Sequence, residues 1–330
     1  MVKSRLIPLA GAAAIFVVAG TVDALAVDKP ANYPNRPINL VVPYPPGGGV
    51  DLTARTLAAQ LERTTGLQFR VENRPGGGSV VGNAYVAKQA SADGYTLGVL
   101  ANPTMAISVV GGKAPFTKDD LEPLAGITFA PAIWLSGTKS KISGMGIKEV
   151  IAYAKAHPGE LKVGVIPNGA FDIATRILEK QSGVQFTIVP FQGGKPAAVA
   201  LLGGNIDIAA NYYDEVAQFV KAGDMKPLAV ADNAPLSQLP GVPTMKDLGI
   251  KIASGTWGAD RLVAVRPQVS NDIKAYLASI IHEALHDKQT EAAFEKVGIE
   301  LIPLTAKEEK ERYESSFEAV SDYFKDAPKH

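Results

Sequence analysis

The sequence predicts an α/β protein in which two lobes with mixed, mostly parallel sheets face one ligand cleft. Short β-branched segments alternate with helical stretches along most of the chain, and Gly, Pro and Asn mark the joints. Glycine-bearing loops connect strands to the helices that follow in both halves of the chain. Because ligands of open α/β sheets bind beyond the carboxyl ends of the strands, these loops indicate the binding site.

The pattern of apolar residues locates the individual elements. Strands are predicted at 38–42, 68–72, 95–100, 132–136, 161–166, 186–190, 206–210, 227–231 and 257–265. Helices are predicted at 51–65, 80–89, 118–121, 147–156, 171–181, 195–203, 214–222, 270–287, 289–296 and 306–325.

Two glycine-rich loops in the first half predict a site for an anion. One is Pro43–Gly49, between a strand and the helix expected from Asp51, and the other is Asn73–Ser79, before the helix expected from Val80. Glycine lets the backbone approach a ligand closely, and each following helix directs free N–H groups and its positive dipole end into the loop. A carboxylate therefore fits between these loops without a charged side chain.

Similar loops recur in the second half of the chain. Pro190–Pro196, which contains Gln192 and Gly193, and Pro167–Phe171 both lie between a predicted strand and a predicted helix. This repetition predicts a second lobe that contributes its own strand-to-helix loops to the same cleft.

The N-terminus is typical of an export signal. Lys3 and Arg5 precede an apolar run over 6–20, and Ala24-Leu25-Ala26 matches the small-x-small cleavage pattern, which predicts a signal peptide at 1–26 cleaved after Ala26. The apolar run is shorter than the ~20 residues that span a bilayer, so a retained membrane anchor is the less favoured alternative. The mature chain is therefore expected to lie outside the cytoplasm.

Composition excludes several classes of function. The chain has no cysteine, which excludes disulfides, thiolate catalysis and Cys-based zinc sites. Its 33 basic and 33 acidic residues give a formal net charge of zero, so neither nucleic acid nor an anionic membrane is an expected partner. After cleavage about 300 residues remain, which is enough for two domains.

The first loop also has part of a dinucleotide-binding pattern. Gly47-x-Gly49 follows a strand, and the next strand ends at the acidic Glu72. Leu52 occupies the position of the third glycine, however, and three prolines stiffen the turn. The pattern therefore does not favour a nucleotide cofactor, and no cofactor is predicted.

His282-Glu283-Ala284-Leu285-His286 is a literal H-E-x-x-H zinc motif. The helix that carries it has an apolar stripe at i, i+4, i+7 and i+11, formed by Ile273, Leu277, Ile280 and Ala284. At 100° per residue both histidines fall on the opposite side, which predicts an exposed helix face rather than a metal site.

Other catalytic patterns are incomplete. Gly77-Gly78-Ser79-Val80-Val81 lacks the last glycine of a nucleophile elbow. Asp51 is expected to cap a helix or contact a ligand rather than act as a base. No catalytic residue and no metal ligand is therefore predicted.

Separated motifs in a fixed order resemble a known family. They are Tyr33-Pro34-Asn35-Arg36-Pro37-Ile38, Val42-Pro43-Tyr44, Gly47-Gly48 with Asp51, Val71-Glu72-Asn73-Arg74-Pro75-Gly76, Ala92-Asp93-Gly94-Tyr95-Thr96-Leu97, Leu202-Gly203-Gly204, Ile206-Asp207-Ile208, Leu228-Ala229-Val230, Leu239-Pro240-Gly241-Val242-Pro243-Thr244, Trp257-Gly258 and Arg266-Pro267. The chain is similar in these motifs to the solute-binding proteins of tripartite tricarboxylate transporters, the TctC/Bug family of periplasmic receptors. The similarity extends over essentially the whole mature chain.

The resemblance implies a type II periplasmic-binding fold and no enzymatic activity. Such receptors are expected to be monomers that close over a small organic carboxylate and deliver it to a membrane permease. The implied division assigns 27–129 plus 253–330 to domain 1 and 130–252 to domain 2, with crossing strands near 129–134 and 252–258.

The resemblance also implies which loops hold the ligand, through backbone N–H groups from both domains. The matching positions in domain 1 are Tyr44, Gly47, Gly48, Asp51, Gly77, Gly78, Ser79, Asn102 and Thr104. Those in domain 2 are Asn168, Gly169, Ala170, Phe171, Gln192, Gly193, Tyr212 and Asp214.

One position departs from the family pattern. The family commonly has a small hydroxyl residue and then a His near the start of the helix at 171, where this chain has Ala170-Phe171-Asp172. Phe171 with Tyr44 and Tyr212 is therefore hypothesised to favour a ligand with an apolar or aromatic body.

Two alternative functions remain open at the level of sequence. A sensor that binds the same ligand and reports to a membrane kinase would have the same receptor motifs. A zinc hydrolase would use His282, Glu283 and His286.

Overall fold

Strands and helices alternate along the chain in the computed structural model, which describes residues 27–167, 169–253 and 256–326. The predicted signal peptide, its cleavage site and Asn168 lie outside the described residues. The strands are β1 Ile38–Val42, β2 Phe69–Asn73, β3 Thr96–Asn102, β4 Glu122–Gly137, β5 Lys162–Val165, β6 Thr187–Pro190, β7 Ile208–Tyr212, β8 Met225–Val230 and β9 Gly258–Val265. The helices are α1 Gly49–Thr65, α2 Val80–Ala84, α3 Thr104–Val110, α4 Ile147–Ala156, α5 Ala170–Ser182, α6 Gly194–Leu202, α7 Tyr213–Lys221, α8 Asn271–Leu285, α9 Lys288–Lys296 and α10 Ala306–Asp326.

The long strand β4 joins two groups of strands. Its first part, 122–131, pairs with β9, which continues the order β2-β1-β3-β9. Its second part, 132–137, pairs with β7 and β8, and β7 continues to β5 and β6. We call the first group, with 122–131, the first lobe, and the second group, with 132–137, the second lobe. The change of partner falls between Pro131 and Ala132, while the domain limits given above stay a prediction.

The sheet is mixed, as the sequence predicts. Among the described residues, four strand pairs are parallel, namely β1–β2, β1–β3, β5–β6 and β5–β7. The antiparallel pairs are β3–β9, β4–β7, β4–β8 and β4–β9. Antiparallel pairing is therefore confined to pairs that include β4 or β9, whereas β2-β1-β3 in the first lobe and β6-β5-β7 in the second are parallel. The carboxyl ends of β1, β2, β5 and β6 lead into the glycine-bearing loops, whereas β3 and β7 pass almost directly into α3 and α7.

Most elements lie within two residues of their predicted limits, and the differences have local causes. The sequence predicts only 132–136 of β4, because Pro123, Gly126 and Pro131 interrupt its first part. The helix α3 was not predicted, since Thr104–Val110 is rich in β-branched residues and lacks an amphipathic stripe. The helix predicted at 118–121 is a single 3₁₀ turn at Lys118–Asp120, and α2 continues as a π-helical turn over Tyr85–Gln89. In the part of the chain that the structure describes, no helix is long and apolar enough to cross a membrane.

Trp134 connects the core of the second lobe to the helix that carries Phe171. Its side chain is 2% exposed, and its indole Nε1 donates to Thr175 Oγ1 at 3.0 Å. The Thr175 hydroxyl in turn donates to the Phe171 carbonyl oxygen at 2.7 Å. These two consecutive buried hydrogen bonds therefore fix the first turn of α5 against β4.

Trp134→Phe is expected to lower the free energy of unfolding by about 1–3 kcal/mol, because it removes a buried hydrogen bond and part of the ring volume. Urea unfolding followed by circular dichroism measures the change. The matched control is Thr175→Val, which removes the same bond and keeps the indole. An unchanged stability in both variants would contradict a structural role for this chain of bonds.

Candidate ligand-binding cleft

The first glycine-rich loop is organised by Asp51. Helix α1 begins at Gly49, two residues before its predicted start, so Asp51 lies within the first turn, with Gly48 at the N-cap. The Asp51 carboxylate accepts from the Gly47 backbone N–H at 2.8 Å, from Asn73 Nδ2 at 2.8 Å and from Arg55 Nε at 3.0 Å. These hydrogen bonds hold the pKa of Asp51 below its usual value against the opposing effect of burial. Asp51 therefore shapes the loop, and its carboxylate is occupied by the protein itself.

Tyr44 brings together three of the predicted residues of the first lobe. Its hydroxyl lies near the side chains of Ser79 and Thr104, which come from the second loop and the start of α3. Burial raises the pKa of Tyr44, and the neighbouring Ser79 and Thr104 hydroxyl groups and the charge of Arg261 oppose the rise. Tyr44 is consequently a neutral donor and acceptor within the cleft.

Phe171 and Tyr212 form the aromatic part of the second lobe. Their ring centroids are 4.5 Å apart with an interplanar angle of 51°. Phe171 is 2% exposed and belongs to the core. Burial also raises the pKa of Tyr212, with further contributions from Glu215 and from Tyr44 of the other lobe. The three aromatic residues of the predicted apolar subsite are thus brought together across the cleft.

A buried ion pair between Arg261 and Asp214 crosses the cleft beside these three aromatic residues. Arg261 Nη2 of β9 lies 2.5 Å from Asp214 Oδ2 at the start of α7, with 1% and 7% of the side chains exposed. The Arg261 Nη1 group donates to Thr53 Oγ1 at 3.4 Å. A Cβ atom at Gly49 would lie 3.0 Å from Asp214 Oδ2 and closer still to Arg261 Nη2. The absence of a side chain at Gly49 therefore lets this pair form against the N-terminus of α1.

A second carboxyl group is buried next to the pair. Glu215 Oε2 accepts from Asn211 Nδ2 at 3.1 Å and lies against the backbone of Gly194 at the start of α6. Burial and the charge of Asp214 raise the pKa of Glu215. At the rim, Lys195 Nζ donates to the Gly47 carbonyl oxygen at 3.1 Å. The two lobes thus contact each other directly at both the centre and the edge of the cleft.

A small cavity lies next to the ion pair, on the side of Asp214. The cavity has a volume of about 20 Å³ and is lined in part by Pro131 and Gln238. This volume accommodates about one water molecule. This cavity is therefore too small for an organic ligand.

The remaining predicted site residues have fewer contacts with the Arg261–Asp214 pair and the aromatic residues beside it. Gly77 and Gly78 are exposed and have φ of 57° and 65°, so they form the turn before Ser79. Asn102 is 1% exposed, and neither its amide nitrogen nor its amide oxygen has a partner. The others are placed as follows: Gly48 is half-buried, Gly169 and Ala170 are buried at the start of α5, Gln192 is exposed, and Gly193 is half-buried before α6.

Sequence reasoning missed Arg261, Gly49 and Glu215. The signal for Arg261 was present, because Asp260 and Arg261 are charged residues inside an otherwise apolar strand whose eight residues are all buried. A charge in such a strand requires a partner. Glu215 has no such signal, because an acidic residue in the first turn of a helix is common and is favoured by the helix dipole.

In the H-E-x-x-H motif, the solvent exposure of one of the two histidines differs from the prediction. His286 is exposed as expected, whereas His282 is half-buried, because the start of α10 with Glu308 lies beside it. Burial and the neighbouring His286 lower the pKa of His282. His286 Nδ1 lies 2.8 Å from the His282 carbonyl oxygen, a contact within the helix. Among the described residues, no group of three His, Cys, Asp or Glu is arranged to hold a metal ion.

Trp257 is a packing residue of the crossing region. It is 2% exposed, its ring lies 6.1 Å from that of Tyr323 in α10, and its carbonyl oxygen accepts from Ala132 N at 3.0 Å. These contacts give Trp257 a role in packing.

Two groups of strands joined by β4, with strand-to-helix loops of both groups in one cleft, define a solute-binding protein of the periplasmic type. The family model described as "Tripartite tricarboxylate transporter family receptor" matches residues 53–310. The chain belongs to this family, whose members are periplasmic solute-binding receptors and not enzymes.

Individual relatives agree with this assignment. The chain is 31% identical to Protein BugT of Bordetella pertussis over 305 residues, which cover 90% of each chain. The crystal structure of a TctC solute-binding protein from Polaromonas has 26% identity and a TM-score of 0.74, and covers 89% of this chain and 100% of the other. MatC from Rhodopseudomonas palustris with bound malate is similar in fold, with a TM-score of 0.74, 23% identity, and coverage of 88% and 99%.

Proposed function

We propose that this receptor binds a small organic carboxylate between its lobes and delivers it to a membrane permease of the tripartite tricarboxylate type. The observation that carries the proposal is the contact between the lobes, in which Arg261 and Asp214 meet at the start of α1. Hydrogen-bond donors for an anion surround this point, from the N-termini of helices and from Tyr44. MatC, which shares this fold, contains bound malate.

In this proposal, closure of the lobes links ligand binding to delivery. A ligand that enters while the lobes are apart contacts loops of both lobes once they approach each other. Only a ligand with favourable contacts to both lobes shifts the equilibrium towards the closed form. Closure about the two crossing segments then presents the permease with a surface that differs between the free and loaded receptor.

Thermal unfolding of the exported chain with a panel of mono-, di- and tricarboxylates tests the binding step. A ligand at one hundred times its dissociation constant is expected to stabilise the protein by about 2.7 kcal/mol, which raises Tm by a few degrees. Uptake of the same labelled ligand by cells with and without this gene tests delivery. A folded receptor that no carboxylate stabilises would contradict the first part, and unchanged uptake would contradict the second.

A further inference from the structure

The ion pair between Arg261 and Asp214 is incompletely satisfied. Arg261 Nε and Asp214 Oδ1 are both buried and have no hydrogen-bond partner. A guanidinium offers five N–H groups and a carboxylate about four acceptor sites, so each member can bind a further charged group. Unused capacity of this kind on two buried charges inside a cleft points to a ligand with complementary groups.

The charges around the pair limit what that ligand can carry. Within the described residues, Arg261 is the one Arg or Lys that is buried, and Asp214 already neutralises it. Glu215 adds a second carboxyl group beside Asp214. A dicarboxylate that took Arg261 from Asp214 would leave that aspartate unpaired in the interior and bring a further negative charge close to it. Leaving one member of a buried pair uncompensated is strongly unfavourable.

A ligand with both an ammonium and a carboxylate group avoids this cost. Its carboxylate replaces Asp214 on Arg261, and its ammonium replaces Arg261 on Asp214. One buried ion pair is exchanged for two, and no charge is left without a partner. We propose that the ligand of this receptor is a zwitterionic amino carboxylate held by Arg261 and Asp214, an inference that rests on the proposed binding function.

Matched pairs of probes that differ only in an amino group test the inference. The pairs are alanine and propionate, aspartate and succinate, and phenylalanine and 3-phenylpropionate, each titrated calorimetrically into the exported chain. In at least one pair the amino member is expected to bind tenfold or more tightly than its deaminated twin. If the deaminated probe binds equally or more tightly in every pair, the proposal of a zwitterionic ligand is wrong, while the proposed receptor function is unaffected. Failure of all six probes, and of the wider carboxylate panel, overturns the binding function itself and this inference with it.

The variant Asp214→Asn tests whether Asp214 is responsible for the preference for the probe with an amino group. The amide keeps the shape of the side chain but cannot neutralise an ammonium group, so the ratio of affinities within the responding pair is expected to fall at least tenfold. The matched control is Asp224→Asn, an exposed position in the second lobe, which should leave the ratio unchanged. The double variant Arg261→Gln with Asp214→Asn removes both charges together, so that neither is left unpaired, and should lose the preference as well. An undiminished ratio in a folded Asp214→Asn or double variant would overturn the assignment.

Discussion

Gly49→Ala is expected to weaken ligand binding at least tenfold, equivalent to about 1.4 kcal/mol. The added Cβ would lie 3.0 Å from the Asp214 carboxylate of the second lobe and would overlap the Arg261 guanidinium of the first. Arg261 is 1% exposed and paired with Asp214, so a displacement of its guanidinium would disturb the contact between the lobes. The lobes would therefore stop short of the contact that defines the closed cleft, and isothermal calorimetry measures the loss of affinity.

Gly48→Ala is the control, since it places the same methyl group one residue earlier. At Gly48 the nearest atom to a new Cβ is the Pro45 carbonyl oxygen, at 3.9 Å, which is an ordinary contact. We expect this variant to bind nearly as well as the wild type, with a modest loss of stability from the weaker N-cap. Small-angle scattering of both variants with ligand would show incomplete closure in Gly49→Ala alone. Equal affinity in the two variants would argue against the close approach at Gly49.

Glu309→Gln is expected to raise Tm by roughly 4 °C or more at pH 8 and to have little effect at pH 5. Glu309 of α10 faces Asp260 of β9, whose Oδ1 accepts from Arg312 Nη1 at 3.2 Å. Burial and the charge of Asp260 raise the pKa of Glu309 from 4.5 to about 10. Two adjacent buried carboxyl groups cannot both be ionised, so the folded protein retains a proton on this pair.

The direction of the pH effect follows from this raised pKa. The unfolded chain releases the Glu309 proton near pH 4.5, whereas the folded chain keeps it up to about pH 10. Folding therefore binds a proton in this interval, and the free energy of unfolding is highest below pH 4.5 and falls as the pH rises towards 10. Glutamine remains neutral and still donates to Asp260, so the variant does not have this dependence.

The measurement is a series of thermal unfolding curves between pH 5 and pH 9 for both proteins. Glu311→Gln, an exposed position on the same helix, is the control and should follow the wild-type curve. A constant difference in Tm between Glu309→Gln and the wild type at every pH would contradict the retained proton.

Local patterns were sufficient to predict most of the fold. The five residues of β1 and the ten residues of α4 have the limits that the sequence predicts, because their apolar spacing and the flanking prolines or glycines act within a few residues. The first part of β4 could not be predicted in this way. Its prolines and Gly126 are unfavourable in a strand, and only pairing with β9 stabilises them there.

The candidate site, too, was predicted from the sequence only in part. The loops around Tyr44, Ser79 and Phe171 were visible as glycine-bearing joints between strand and helix, and the structure brings these residues together with Tyr212. Arg261 remained hidden, because nothing near position 261 in the sequence indicates that a partner lies at position 214. That partnership depends on α7 of one lobe meeting β9 of the other.

The sequence by itself determined the α/β class, the placement of most elements and the membership in a receptor family, because helix and strand periods and turn residues are short-range properties. Only the tertiary structure decided which charges share the cleft and which are enclosed at the crossing region. Burial in a medium of low dielectric constant turns Arg261, Asp214 and Glu309 from ordinary surface residue types into groups that each require a defined partner. Such a requirement arises between atoms that are distant in sequence, and it exists only once the chain has folded.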